Sequence, residues 1–238
     1  MRAVILAGGK GTRLRPYTTL IPKPLVPLGG RYSILELVLM QLAKAGFDHV
    51  TLAVNHLSQL IMAYFGDGAR WNIRLDYSLE DRPLSTIGPL TLIDDLPDDF
   101  LVMNGDVLCD LDYRAFFEAH VARGSAVSVA VYRRDVHIDF GVLRYSAEGD
   151  LEHFEEKPSL AFDVSMGVFC LNRGVVAALE RGRRYGFDNL MLDSLRHGRP
   201  VKVVPFGGYW LDIGRADDYE DADEHFDELA ARLGIGIP

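Results

Sequence analysis

The sequence reads Ala3-Val4-Ile5-Leu6-Ala7-Gly8-Gly9-Lys10-Gly11-Thr12-Arg13-Leu14 near its start, and Pro22-Lys23-Pro24-Leu25 follows. A short apolar run thus leads directly into a glycine-rich turn that carries an arginine. Because glycine lacks a Cβ atom, the backbone N–H groups of such a turn can point at an anion. Arg13 adds a planar, permanently charged guanidinium, and Lys23 adds a second cation in a rigid proline frame. The stretch therefore predicts a strand that ends in a phosphate-binding loop.

Two common phosphate loops do not fit this stretch. The dinucleotide fingerprint requires a third glycine where Leu14 stands, and an acidic residue at the end of a second strand that here ends in Asn55. The P-loop requires Gly-Lys-Ser/Thr, whereas this loop has Gly11-Thr12-Arg13. A purely structural strand–loop connection is the alternative for the turn taken alone, and the cations at positions 13 and 23 speak against it.

The composition favours an acidic protein with a large core. The 238 residues are 48% hydrophobic and carry a formal net charge of -9, which disfavours nucleic acid and anionic membranes as partners. Cys109 and Cys170 lie far apart in apolar surroundings and predict reduced core thiols. The first apolar run is too short for a signal peptide or a membrane span, so we expect a cytoplasmic enzyme.

Strand and helix patterns alternate through the first half of the chain. A capping box at Ser33–Glu36 opens a helix that stops near Gly46, and a second helix runs to about Phe65. Strands are predicted at 50–54, 72–77 and 100–103, with a short helix that ends at Leu90. This βαβ rhythm predicts a mostly parallel sheet covered on both faces. The second half predicts strands at 127–132, 142–145, 151–155, 165–171 and 201–204, and one tail helix at 216–233.

The motif at residues 6–14, followed by Pro22-Lys23-Pro24-Leu25, resembles the sugar nucleotidyltransferase (nucleoside diphosphate-sugar pyrophosphorylase) family, most closely its mannose-1-phosphate guanylyltransferase-like members. Further matches follow in order along nearly the whole chain. The resemblance implies a Rossmann-like three-layer α/β sandwich with a mostly parallel mixed sheet. Many family members add a C-terminal β-helix, and we expect no C-terminal β-helix in this chain. The resemblance also implies a single nucleotidyltransferase domain, with a nucleotide-binding half at about 1–110 and a sugar-phosphate-binding half with the C-terminal helix at about 111–238.

The resemblance places the nucleotide on the glycine-rich loop and on a second segment beside the base. That segment, residues 83–88, keeps Thr86 and Gly88 but has Ser85 where the family has glycine. Glu80 would accept hydrogen bonds from guanine if it reaches the site, and an exposed Glu80 is the alternative. The nucleotide-binding residues expected from the resemblance are Leu6, Ala7, Gly8, Gly9, Gly11, Thr12, Arg13, Glu80, Ser85, Thr86 and Gly88.

Two carboxylates are candidate ligands for Mg²⁺. Asp106 directly follows an apolar strand, which places it at the sheet edge where α/β proteins bind ligands, although a polar turn is an alternative. Asp212 lies between bulky apolar residues, where an unpaired carboxylate is costly; a helix N-cap is its alternative role. In the family the matching residues are the metal ligands. Asp110-Leu111-Asp112 matches a glycosyltransferase pattern, and we interpret it as an acidic loop that caps the next helix.

The sugar phosphate is expected on three further segments that resemble family motifs. Gly141 would lay backbone against the sugar ring. Glu156 would accept from sugar hydroxyls, and Lys157 would bind the sugar phosphate. Gly167 retains a close backbone approach, whereas Ser165 stands where the family has asparagine. An exposed strand-end pair is the alternative for Glu156 and Lys157.

The resemblance implies that a nucleoside triphosphate and a sugar 1-phosphate form a nucleoside diphosphate-sugar and pyrophosphate. We expect Arg13, Lys23 and Asp106 to be catalytic, and Mg²⁺ to be the cofactor. GTP with a mannose- or manno-heptose-type 1-phosphate is the first expectation; thymidylyl, cytidylyl, uridylyl or adenylyl transfer to a glucose-like 1-phosphate is an alternative. A nucleotide-sugar glycosyltransferase and a non-catalytic regulatory homologue are two others. The family also suggests a homodimer or a higher homo-oligomer.

Overall fold

The computed structural model describes residues 1–236 of the chain. The first half contributes the strands β1 (Arg2–Leu6), β2 (Pro27–Leu28), β3 (Tyr32–Ser33), β4 (His49–Val54), β5 (Arg74–Leu79), β6 (Asp99–Asn104) and β7 (Val107–Cys109). The second half contributes β8 (Val127–His137), β9 (Val142–Tyr145), β10 (Leu151–Glu155), β11 (Ser159–Asn172), β12 (Val201–Phe206) and β13 (Trp210–Asp212).

The helices follow the strands in alternation through the first half and gather again at the end of the chain. They are α1 (Ile34–Lys44), α2 (Ser58–Phe65), α3 (Tyr113–Arg123), α4 (Arg173–Ala177), α5 (Phe187–Arg196), α6 (Ala216–Glu224) and α7 (Phe226–Arg232). Short 3₁₀ helices cover Thr12–Leu14, Lys23–Leu25, Ala69–Trp71 and Gly88–Leu92. Within residues 1–236, no helix is both long enough and apolar enough to cross a bilayer.

The central sheet has seven strands in the order β12-β8-β11-β6-β1-β4-β5. β11 runs antiparallel to both of its neighbours, and the other pairings in this sheet are parallel. Strands from both halves of the chain therefore form one sheet, and the expected mostly parallel mixed sheet is confirmed. Three smaller pairings, β9 with β10, β7 with β13 and β2 with β3, lie outside it. The described residues contain no β-helix at the C-terminal end.

Apolar residues on successive strand positions pack into two separate cores, one on each face of the sheet. Ile5 of β1 packs with the buried residues of α1, α6 and α7, whereas its neighbour Val4 packs with residues of α4 and α5. The same alternation holds in β6, where Met103 belongs to the first core and Val102 to the second. Helices thus cover both faces, which confirms the three-layer sandwich.

The start and end of α1 agree with the sequence prediction. Ser33 Oγ accepts a hydrogen bond from Glu36 N (3.3 Å), and Glu36 Oε2 accepts from Ser33 N (2.8 Å). This capping box satisfies backbone donors that the first turn of a helix leaves free. The chain leaves the helix through Gly46, whose φ of +86° favours glycine.

The predicted single tail helix is wrong, because it is interrupted at His225 and forms α6 and α7. The interruption turns Phe226 into the core, where its ring lies close to Gly29; a Cβ atom on Gly29 would come within 2.2 Å of that ring. The ring of Phe226 also lies 6.1 Å from that of Tyr32. The apolar spacing of the tail is therefore helical on both sides of the break, and Phe226, the first residue of α7, packs against a distant loop.

Three strand predictions need corrected bounds. β5 begins at Arg74, two residues later than predicted, because Asn72 has φ +54° and ends a 3₁₀ helix. β8 and β11 are longer than predicted. Their added residues pair with each other, beginning with His137 of β8 opposite Ser159 of β11. Their added residues are mostly exposed, so these segments lack the apolar alternation by which a strand is identified from sequence.

A buried histidine makes the stability of this fold pH-dependent. His120 is 1% exposed, and its Nδ1 lies 2.8 Å from Ser128 Oγ. Burial lowers the pKa of His120 below its ordinary value, and the nearby Asp99 carboxylate offsets part of this effect. Since the unfolded chain then binds a proton more readily than the folded one, stability falls as the pH drops below about 6.5.

We predict that His120→Asn removes part of this acid sensitivity. The free energy of unfolding of the wild type should fall between about pH 7 and pH 5, and the variant should lose less over the same window. Urea denaturation followed by circular dichroism at several pH values measures both curves. Parallel curves would contradict the assignment to His120.

Candidate functional site

The glycine-rich loop and the Asn104–Asp106 turn lie side by side at one edge of the sheet. Both leave the carboxyl ends of neighbouring parallel strands, β1 and β6. Gly105 N donates to Leu6 O (3.1 Å), and Ala7 N donates to Ala53 O (2.8 Å) at the end of β4. Carboxyl ends of parallel strands form the ligand-binding edge of α/β sheets, so both predicted motifs share such an edge.

The glycine-rich loop is held in a defined shape by its own neighbours. Gly11 has φ +60°, and its carbonyl oxygen accepts from Thr18 Oγ1 (2.7 Å). A Cβ atom on Gly11 would lie 3.1 Å from Lys23 Cβ, so the loop and the Pro-Lys-Pro segment are in close contact. Leu14 is fully buried and anchors the loop, whereas Thr12 and Arg13 are exposed. Gly9 has open space around its backbone.

Lys23 and Asp106 form a close ion pair between these two segments. Lys23 Nζ lies 2.5 Å from Asp106 Oδ2, and the lysine side chain is only 11% exposed. Salt bridges with little exposure are screened less by solvent than surface pairs are. The structure therefore brings together two of the residues that the sequence analysis expects to be catalytic.

The pairing of β7 with β13 brings Asp212 next to Asp106. Asp212 lies opposite Val107 in this pairing, and Ile213 N donates to Asp106 O (3.1 Å). The alternative that Asp212 caps the tail helix is wrong, because the N-cap of α6 is Arg215. Burial raises the pKa of Asp212, and the Asp106 carboxylate raises it further.

This carboxylate pair fits a divalent cation. Asp106 Oδ1 is buried and has no hydrogen-bond partner among the described residues, so it is an acceptor that a bound cation would satisfy. No group of three or more His, Cys, Asp or Glu side chains within residues 1–236 forms a metal cage. Two carboxylates without a full cage suit Mg²⁺, which retains waters and is commonly shared with substrate phosphates.

Glu80 faces the glycine-rich loop, so the alternative of an exposed side chain is wrong. Its Oε2 accepts from Leu84 N (2.9 Å), and a Cβ atom on Gly8 would lie 3.0 Å from its Oε1. Burial raises the pKa of Glu80, while the Leu84 N–H opposes that shift. One carboxylate oxygen thus fixes the turn of the base segment, and the other points toward the loop.

The remaining base-segment residues pack against the loop before α5. Ser85 has φ +69°, which explains the usual preference for glycine there. Thr86 Oγ1 accepts from Phe187 N (2.6 Å), and a Cβ atom on Gly88 would lie 2.6 Å from Arg183 O. These contacts give Thr86 and Gly88 clear structural roles.

The expected sugar-phosphate residues fall into two places. Gly167 has φ +74°, and a Cβ atom there would lie 2.6 Å from Asn104 Nδ2, so it belongs to the carboxylate edge. Ser165 is close by, and its Oγ accepts from Gly167 N (3.4 Å). Gly141 and Glu156 instead lie together at the separate β9–β10 hairpin, where a Cβ on Gly141 would be 3.1 Å from Glu156 Oε2.

Lys157 is exposed at the end of the same hairpin, and its backbone has φ +47°. Within residues 1–236 its ammonium group forms no salt bridge at 4.0 Å or less. The side chain is therefore available to bind an anion, while the structure shows no contact between it and the two carboxylates.

The Asp-x-Asp motif has structural partners. Asp110 Oδ1 accepts from Tyr209 N (2.7 Å), and Asp112 Oδ1 accepts from Ala115 N (2.9 Å) as the N-cap of α3. The prediction that this loop caps the following helix is confirmed for Asp112. Because both carboxylates already hold backbone donors, the motif gives little support to the glycosyltransferase alternative.

Several residues outside the predicted set line a cavity of about 310 Å³ beside Arg13 and Asp212. Three of these are Tyr132, Arg134 and Arg215. Tyr132 packs against Trp210 with ring centroids 5.3 Å apart, and Trp210 Nε1 donates to Met166 O (3.1 Å). Arg215 directly follows the Trp210–Gly214 motif, so its sequence position could have identified it as a candidate site residue. Arg134 lies in the unpredicted extension of β8, where no pattern marked it.

We predict that Asp106→Asn lowers the pKa of Asp212, because a negative neighbour is removed and Lys23 is freed to favour the ionised form. A ¹³C NMR titration of the Asp212 carboxyl group in chelator-treated protein measures the change. Asp110→Asn is the matched control, since Asp110 is bonded to Tyr209 N instead. An unchanged Asp212 pKa in the Asp106 variant would show that the two carboxylates are not coupled.

The chain is similar to known proteins along nearly its whole length. The sequence matches the family described as Nucleotidyl transferase over residues 2–228. It is 32% identical to mannose-1-phosphate guanyltransferase of Aspergillus fumigatus over 92% of this chain, and 31% identical to UTP–glucose-1-phosphate uridylyltransferase of Synechocystis sp. over 93% of it. In both cases 62% of the relative is covered, so the chain spans less than two thirds of these relatives' length.

A solved structure is similar as well. HddC from Yersinia pseudotuberculosis, crystallised in complex with GMP-PN, superimposes with a TM-score of 0.70 at 26% sequence identity. The comparison covers 94% of this chain and 99% of that one. The family match over almost the entire chain, together with the shared fold and the retained motifs, shows that the chain belongs to the nucleotidyl transferase family.

Proposed function

We propose that this protein is a sugar-1-phosphate nucleotidyltransferase, which forms a nucleoside diphosphate-sugar and pyrophosphate from a nucleoside triphosphate and a sugar 1-phosphate. The observation that carries the proposal is the meeting of Lys23, Asp106 and Asp212 at the sheet edge where the glycine-rich loop begins. This arrangement combines a cation, two carboxylates and a phosphate loop. A non-catalytic homologue would not be expected to keep all of them in contact.

The chemistry requires positioning and charge stabilisation. A phosphate oxygen of the sugar 1-phosphate attacks the α-phosphorus in line, and pyrophosphate leaves. Because this nucleophile is already an anion at neutral pH, no general base is needed. Two mutually repelling polyanions must be held together, and the charge of the transition state must be stabilised.

Each expected site residue has a proposed part in this step. The backbone of residues 8–12 and the guanidinium of Arg13 hold the triphosphate and favour departure of pyrophosphate. Lys23 contacts phosphate near the reacting centre, since its ammonium is fixed beside Asp106. Lys157 neutralises the incoming sugar phosphate, and Glu156 accepts hydrogen bonds from sugar hydroxyls.

Asp106 and Asp212 are proposed to hold Mg²⁺. When bound, this ion would neutralise phosphate charge and orient the reacting groups. The buried, unpartnered Asp106 Oδ1 supports the assignment. The other oxygen of Asp106 is bonded to Lys23, so one carboxylate can serve both the cation and the lysine.

The nucleotide is proposed to be GTP and the sugar a mannose- or manno-heptose-type 1-phosphate. Glu80 supports guanine, because its Oε1 faces the loop and guanine offers N–H donors that a carboxylate accepts. The names of the Aspergillus relative and of the HddC complex agree with this choice. Uridylyl transfer to glucose 1-phosphate is the second candidate, and the Synechocystis relative favours it.

Three further assignments belong to the same proposal. The nucleotide-binding half is taken as about 1–110 and the sugar-phosphate half as about 111–238. A cytoplasmic location agrees with two buried free cysteines, Cys109 and Cys170, because thiols stay reduced in the cytosol. Assembly into a homodimer or a higher homo-oligomer is an open expectation from the family.

The proposal predicts Mg²⁺-dependent release of pyrophosphate. ATP, GTP, CTP, UTP and dTTP are each combined with mannose, glucose or manno-heptose 1-phosphate in a coupled pyrophosphate assay. Arg13→Ala and Asp106→Asn should each lower the turnover of the best pair by about 100-fold or more, because each removes a charged group from the transition state.

Arg15→Ala is the matched control, since Arg15 is an exposed arginine in the same segment but does not line the cavity beside Asp212. It should retain turnover close to that of the wild type. Near-wild-type turnover in the Arg13 or Asp106 variants would overturn the assignment of those residues. Absence of pyrophosphate release in folded protein with every pair would contradict the proposed substrates.

A further inference from the structure

Three arginines line the cavity beside Asp212, and only Arg13 has a part in the proposed function. Arg13 reaches the cavity from the glycine-rich loop, Arg134 from β8, and Arg215 from the residue before α6. These three residues come from parts of the chain that are far apart in sequence. Only the fold therefore brings the three guanidinium groups to one cavity.

Within residues 1–236, none of these three guanidinium groups forms a salt bridge at 4.0 Å or less. Two carboxylates, Asp212 and Asp218, also line the cavity. Asp218 Oδ2 accepts from the backbone N of Arg215 (3.0 Å), and Asp212 lies beside the like-charged Asp106. Three guanidinium groups thus share this space with two carboxylates, so positive charge is in excess there.

Arg133, the neighbour of Arg134, lies in a different environment. Arg133 is adjacent in the same strand, and its NH1 lies 4.0 Å from the carboxylate of Asp163, its partner on β11. Because side chains alternate along a strand, Tyr132 and Arg134 share one side and Arg133 points to the other. The side with Tyr132 and Arg134 lines the cavity.

Three guanidinium groups around one space repel one another, and the two carboxylates that line it offset only part of this charge. The planar guanidinium binds phosphate oxygens with two parallel hydrogen bonds, and arginine is enriched where phosphates are recognised. A cavity of about 310 Å³ corresponds to the liquid volume of roughly ten water molecules, which is ample for a phosphate group and its hydration.

We propose that Arg134 and Arg215 join Arg13 in a three-arginine site that binds a phosphate group of the reactants. The choice of ligand rests on the proposed function, which supplies two phosphate-bearing molecules: the departing pyrophosphate and the sugar 1-phosphate. Arg134 and Arg215 are additional to the glycine-rich loop, Lys23 and Lys157. They would lower the repulsion between the two polyanions as these approach each other.

The test is isothermal titration calorimetry of the full chain with inorganic pyrophosphate and, separately, with mannose 1-phosphate, both in the presence of Mg²⁺. Arg134→Met and Arg215→Met should each weaken binding of at least one of the two probes by about tenfold to 100-fold, as expected for loss of charge-assisted hydrogen bonds. Loss confined to pyrophosphate assigns the site to the leaving group, and loss confined to the sugar phosphate assigns it to the acceptor.

Arg133→Met is the matched control, and it should bind both probes as the wild type does. Arg134→Lys keeps the charge but loses the fork, so its affinity should lie between those of the wild type and Arg134→Met. Circular dichroism melts of each variant establish that it is folded. Affinities of Arg134→Met and Arg215→Met that match those of Arg133→Met would overturn the proposal.

The outcome is independent of catalysis. If Arg134→Met and Arg215→Met lose binding and the wild type releases no pyrophosphate from any nucleotide, the arginine site is supported and the proposed function is contradicted. If the wild type turns over substrate and all variants bind the probes with equal affinity, the proposed function is supported and the arginine site is contradicted.

Discussion

The short pairing of β7 with β13 is the constraint on which this site depends. It joins segments about a hundred residues apart and places Ile213 N against the backbone carbonyl of Asp106. Each strand has only three residues, so the pairing itself is small. Its position is nevertheless well supported, because Val107, Leu108 and Ile213 are buried in the core that also contains α1 and the tail helices. Core packing therefore holds two repelling carboxylates side by side.

Positively charged side chains lie close to this carboxylate pair. Lys23 balances one carboxylate at 2.5 Å, and Arg13 acts on the other. The protein as a whole carries a formal net charge of -9, so its cations must be concentrated locally to attract phosphates. The ion pair with Asp106 also holds the ammonium group of Lys23 in one position, although the lysine side chain is flexible. The proposed phosphoryl transfer, in which the nucleophile is an anion, requires charged groups to be positioned in this way.

Much of the fold could be predicted from the sequence, because buried parallel strands and a capped helix leave local signals. The apolar runs at β1, β4 and β6 and the capping box at Ser33 are of this type. The interruption at His225 could not be predicted, since the apolar spacing continues across it and no Gly or Pro marks it. The exposed ends of β8 and β11 escaped prediction because neither face is buried. In the candidate site, motifs identified Asp106 and Asp212, but Arg134 has no local signal and reaches the cavity only through the fold.

Asp106 and Asp212 are proposed to hold a divalent cation together at the end of the glycine-rich loop. The most direct measurement is anomalous diffraction from crystals grown with Mn²⁺ and a non-hydrolysable nucleotide. We predict one strong anomalous peak within coordination distance of oxygens from both carboxylates, with phosphate oxygens completing the shell. A peak bound by only one of them, or a nucleotide bound on the loop with no cation at the pair, would show that the two carboxylates do not share a cation.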